Sequence, residues 1–161
     1  MPQAEPDVPR ERLVQGYRQG FGHNVVRLQD PGANGVNNAV GISNIAAAAE
    51  GFNLGVQLGA DPKALLDVLS KSSAQSFVLD YMSAFLLSGD FIANDAPVLR
   101  LLLEDLGLAH QMAHEAGVSM PTSGVALDLF ERFRSAWPDI EDVAGVVLAL
   151  EQDNRTGGMR K

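Results

Sequence analysis

NNAVGISNIAAAAEGFNLGVQLGADPKALLDVLSKSSAQS, residues 37–76, decides the fold. From Val36 to about Leu58 the chain is rich in alanine and other small residues, contains no proline and shows no strict alternation of polar and apolar positions. That pattern favours one long helix over a strand. Asp61-Pro62 then starts a second helix, because an aspartate carboxylate accepts from free first-turn amides and proline suits the first helical position. Leu65, Leu66, Val68 and Leu69 are expected to form its apolar stripe, and Lys71 to Ser76 (KSSAQS) reads as a break.

The helical signal continues downstream. An apolar segment runs from Phe77 to Leu87, and Asp95 is expected to open a long helix carrying Leu99, Leu102, Leu103, Leu106 and Leu108, ending near Gly117. Pro121-Thr122-Ser123 starts another, which ends at Trp137-Pro138. Asp139 is expected to begin the last, through Val143, Val146, Val147 and Leu150, before a frayed tail, NRTGGMRK. Upstream, DPGANG at residues 30–35 reads as a turn or loop, and Val25, Val26 and Leu28 as a short strand. A short helix fits Val8 to Phe21, stopped by Gly20 and Gly22 and preceded by a proline-rich lead. The fold class is therefore all-α: a helical bundle around a long central helix, with a short N-terminal helix and strand appended. A single strand cannot make a sheet by itself.

The 161 residues suffice for one real core, and 46% hydrophobic with 20% charged residues is a globular composition. A net charge of −8 without any basic run argues against nucleic-acid or anionic-membrane partners. No cysteine is present, which removes disulfides, thiolate nucleophiles and Cys-based zinc sites and fits a reducing cytoplasm. The start MPQAEPDVPRER lacks the apolar core of a signal peptide, and the apolar run Ile45–Ala49 is too short to span a bilayer.

Residues 37–76 resemble the opening of the helical domain of 3-hydroxyisobutyrate dehydrogenases, members of the wider β-hydroxyacid dehydrogenase, 6-phosphogluconate dehydrogenase-like family. The resemblance is carried in order by Asn37, Asn38, Ala49-Glu50, Gly55, Gly59 and Asp61-Pro62. A second block, LLLEDLGLAHQMAHEAGVSMP at residues 101–121, is similar to the family's Lys-Asp-Leu-Gly-Leu-Ala helix and the Gly-Val-x-x-Pro after it. The likeness covers roughly residues 20–152, and the Gly20–Leu28 region resembles the end of the family's nucleotide-binding domain.

That resemblance implies a C-terminal helical domain that forms the floor of the substrate cleft and a dimer interface. It implies a division into residues 1–33 (lead plus the last helix and strand of a nucleotide-binding domain), 34–153 (helical domain) and 154–161 (tail). Asn38 falls where the family's substrate-binding asparagine stands, and Ser72, Ser73 and Ser76 fall where the family lines its interdomain cleft. Asn38 also reads as a helix-capping residue, and the serines as hydroxyls capping a helix end. The family's catalytic lysine falls at Asn34, a side chain neutral at every pH, and the cofactor-side lysine falls at Glu104. No Gly-x-Gly-x-x-Gly unit follows a strand; Gly20-Phe21-Gly22 precedes the only strand and lacks the third glycine.

Two further patterns have modest readings. His110 and His114 are four apart on one helix, but HQMAH lacks the glutamate of a zinc-protease motif, so a solvated face is expected and no metal. Gly51, Gly55 and Gly59 recur every fourth residue and suggest close helix packing, while Asn53 and Gln57 exclude a membrane dimer motif.

The functional expectation is an NAD(P)-dependent 3-hydroxyacid oxidoreductase by ancestry, in a truncated or split form inactive alone, with no cofactor bound by the isolated chain. A homodimer is expected, with a separate nucleotide-binding chain as a second candidate partner. The alternative is a non-catalytic helical dimerisation or binding module.

Overall fold

The computed structural model describes residues 31–91 and 98–154, the first four of these by backbone only. Among them are six α-helices, which we number α1 Pro31–Gln57, α2 Pro62–Leu69, α3 Phe77–Ser88, α4 Val98–Glu115, α5 Pro121–Ala136 and α6 Val147–Asp153. A 3-10 turn, Val143–Val146, leads directly into α6. No strand occurs among the described residues, and none of their helices is long and apolar enough to cross a membrane. The expected strand at Val25–Leu28, the helix before it, the opening of α4 at Asp95 and the tail beyond Asn154 lie outside the described residues.

The protein is all-α, built around α1, which packs against α2, α3, α4, α5, α6 and the 3-10 turn. Its buried positions follow the helical period: Asn38, Ala39, Ile42, Ile45, Ala46, Ala49, Phe52 and Asn53. They meet Leu99, Leu102 and Leu106 of α4, Phe130 and Phe133 of α5, and Met82 and Phe85 of α3 in one core. The opposite face of α1 is not polar: Val36 is 63% exposed, Val40 58% and Leu54 61%.

Asp61 caps α2 as its sequence indicates, with Oδ1 accepting from Ala64 N at 2.8 Å and Pro62 at the first helical position. Ser76 caps α3 by accepting from Leu79 N at 3.2 Å, and Gly89, at φ 69°, ends that helix in the left-handed region.

Four expectations need correction. Residues 31–35 of DPGANG are helical where a loop is expected: α1 begins at Pro31, and Gly35 is packed so tightly on α4 that a Cβ there would lie 2.9 Å from that of Ala109. Close packing between helices overrides the loop preference of glycine. The last helical stretch starts at Asp142, not Asp139, because Asp142 Oδ1 takes the Ala144 amide at 2.8 Å. In α2 only Leu66 is fully buried, and Val68 faces solvent. On α4, Leu108, expected on the apolar face, is exposed, while Leu99, Leu102, Leu103 and Leu106 are buried.

Candidate functional site

The first candidate site lies where α1 packs against α4. Glycine at position 35 lets the two backbones approach, and Asn38, about one turn further on, lies over Asp105. Asn38, 3% exposed, donates from Nδ2 to Asp105 Oδ2 at 2.8 Å, and its Oδ1 accepts from Asn37 Nδ2 at 3.2 Å. A carboxylate can only accept, so this bond fixes which end of the Asn38 amide faces α4. Asn37 is exposed, which places the outer end of the relay at the surface.

Asp105 is the residue that motif reading overlooked. Its signal was present: Leu102, Leu106 and Ala109 mark the buried face of α4, and position 105 is next to that stripe. A carboxylate on such a face needs a polar partner. Glu104, by contrast, points to solvent and meets Arg100 at 3.3 Å across one helical turn. Asn34 lies within the first turns of α1, and its side chain is outside the described residues.

The second is a cleft of about 320 Å³ beside α1. Its floor is Asn44, Ala47 and Gly51, and its far wall is Ser73, Gln75 and Ser76 from the break between α2 and α3. The structure separates the candidate serines. Ser73 and Ser76 line the cleft, whereas Ser72 turns back on its own helix, donating to Leu69 O at 3.2 Å and accepting from Ala74 N at 3.4 Å. Asn38 does not line the cleft; Asn37 is the residue that shares its stripe, two turns before Asn44.

The remaining polar groups are structural. His110 Nε2 and Ser123 Oγ share a hydrogen bond at 3.1 Å that ties α4 to α5, and the hydroxyl also lies 3.3 Å from Met120 O. His114 is exposed, and no group of three or more metal-ligating side chains exists among the described residues. On the outside of α2, Lys71 donates to Asp67 at 2.6 Å; that hydrogen bond first, then the ammonium charge, holds the Asp67 carboxyl below the usual aspartate range.

A dinucleotide pyrophosphate needs a strand, a glycine-rich turn and a helix N-terminus, or clustered cations. The described residues contain no strand, and the cleft lining includes no lysine or arginine.

Residues 34–150 match a family model described as the NAD-binding part of NADP-dependent 3-hydroxyisobutyrate dehydrogenase. The chain is 33% identical over 144 residues to 2-(hydroxymethyl)glutarate dehydrogenase of Eubacterium barkeri, covering 86% of this chain and 47% of that protein. It is 30% identical over 112 residues to L-threonate dehydrogenase of Cupriavidus necator, covering 70% of this chain and 37% of that one. The chain thus spans less than half the length of either relative.

Proposed function

This chain belongs to the 3-hydroxyisobutyrate dehydrogenase family, and we propose that it supplies the helical, C-terminal substrate-cleft and dimerisation part of an NAD(P)-dependent 3-hydroxyacid oxidoreductase. The observation that carries this reading is the Asn37–Asn38–Asp105 relay, which pre-orients a buried amide at the N-terminal end of the central helix. An amide held from both ends presents its remaining N–H and lone pair in a fixed direction, which suits a substrate carboxylate or hydroxyl. Asn38 is then the substrate-binding residue and Asp105 the residue that positions it.

Hydride transfer from a hydroxyl carbon requires a group that takes the hydroxyl proton. Asn34, at the place of the family lysine, cannot take it, so the chain is inactive alone, and turnover needs a partner domain or chain that brings both the nucleotide site and a proton acceptor. Residues 34–153 form the working domain, residues 1–33 continue the nucleotide-binding part, and the working compartment is the cytoplasm.

A second reading is a non-catalytic dimerisation module, favoured by the exposed apolar face of α1. The test is an assay of NAD⁺ and NADP⁺ reduction with 3-hydroxyisobutyrate, L-threonate and 2-(hydroxymethyl)glutarate. It uses the chain alone and mixed with the separately produced nucleotide-binding half of the Eubacterium barkeri relative. Turnover only in the mixture, lost with Asn38→Ala, supports the oxidoreductase reading. A mixture that stays inactive while the chain dimerises favours the module.

A further inference from the structure

Helix-interior glycine costs about 1 kcal/mol relative to alanine, so each such glycine needs a reason in the structure. Gly55 has one: a Cβ there would lie 2.5 Å from Leu65 Cδ2, so α2 could not pack. Gly59 has another, a φ of 92° that terminates α1. Gly51 has neither. It lies within α1, its φ is not positive, and a Cβ built on it meets nothing within 4 Å. The space above Gly51 is the cleft itself.

The polar groups around that space converge on it without using one another. Among the described residues neither Asn44 nor Ser73 makes a side-chain hydrogen bond. Gln75 donates one amide N–H to Asp80 at 3.2 Å and keeps its carbonyl oxygen; Ser76 accepts from Leu79 N at 3.2 Å and keeps its proton. The cleft therefore offers both donors and acceptors above an apolar floor of Ala47, Ala48 and Gly51. No charged side chain lines it, and the nearby Asp80 disfavours an anion. Its volume, about 320 Å³, is at the low end for small-molecule pockets.

We infer that this cleft binds a neutral, hydroxyl-rich small molecule of the polyol class, whose C–H face lies on Gly51 and whose hydroxyls meet Asn44, Ser73, Gln75 and Ser76. A carboxylate would find no cation there, and a purely apolar ligand would strand the amides and hydroxyls without partners. This inference does not depend on the oxidoreductase reading, because the cleft is separate from the Asn38–Asp105 pair.

The test is an amide and side-chain-amide NMR titration of the whole chain with xylitol, with disodium glutarate at matched ionic strength as the comparison. Xylitol is expected to give saturable shifts confined to Asn44, Gly51, Ser73, Gln75 and Ser76, with glutarate giving none there. Gly51→Leu, checked by its thermal melt, is expected to weaken xylitol binding by roughly tenfold or more. The double variant Asn44→Ala, Ser73→Ala removes only exposed side chains that hold nothing in place, and is expected to do the same. Non-saturating or scattered shifts, equal binding of glutarate, or unchanged affinity in the double variant would overturn the inference.

Discussion

The Tyr81 hydroxyl donates to the carboxylate of Asp142, joining α3 to the 3-10 turn across the bundle, and Asp142 is wholly buried. The other oxygen of the same carboxylate holds the Ala144 amide, so one side chain both caps a turn and anchors it to the core. Tyr81→Phe is expected to lower stability by about 2 kcal/mol, since a buried carboxylate loses a donor. Asp142→Ala should cost more, about 3 kcal/mol, because the cap is lost as well. Urea unfolding of both and of the double variant checks this; additive effects would mean the two side chains do not act together.

Gly51 and Gly55 are one turn apart, and alanine should separate them. Gly51→Ala is expected to raise stability by about 0.5–1 kcal/mol, through helix propensity alone. At Gly55 the same change forces Leu65 out of place and should lower stability by about 1–3 kcal/mol. Thermal melts showing the same sign for both would contradict the packing described for α1 and α2.

Removing Asp105 leaves the buried Asn38 amide without that partner, and removing Asn38 takes a donor from the half-buried Asp105 carboxylate. Asn38→Ala and Asp105→Ala are each expected to cost about 1–3 kcal/mol. Asp105→Asn should cost less, because its carbonyl oxygen can still accept from Asn38 Nδ2. Equal losses from Asp105→Asn and Asp105→Ala in denaturant titrations would show that this hydrogen bond is not what the site uses.

Calorimetric titration of the chain with NADH and NADPH is expected to show no binding tighter than about 10 μM, near −7 kcal/mol. The reason is geometric: the described residues contain no strand from which a glycine-rich turn could lead. A tighter constant would mean that the helical domain alone grips the cofactor.

Val36, Val40 and Leu54 form an apolar row on the outer face of α1, and such a row on one chain is commonly covered by a second copy. Sedimentation at micromolar concentration is expected to give a species at twice the 17.2 kDa chain mass. Val40→Lys with Leu54→Lys should return it to the monomer without loss of helicity. A wild-type monomer stable to dilution would rule out this interface.

What residues 37–76 determined by themselves was local. A long alanine-rich run with no proline forms a helix in almost any surroundings, and Asp61-Pro62 caps one through atoms three residues away. The apolar spacing on α4 placed four of its leucines in the core, and the chain's membership of a family was already legible in its two motif blocks. The tertiary structure decided everything that needed a distant partner. By sequence the last helical stretch starts at Asp139, but the residue that caps it is Asp142, which also meets Tyr81. Pro31 begins α1 through a stretch that reads as a loop, because Gly35 lets α4 come close. Gly51, Gly55 and Gly59 share one period, yet one opens a cleft, one admits Leu65 and one ends the helix. Periodicity reports which face a residue occupies; what occupies the space opposite that face is set by segments far away in sequence, and only the folded chain brings them there.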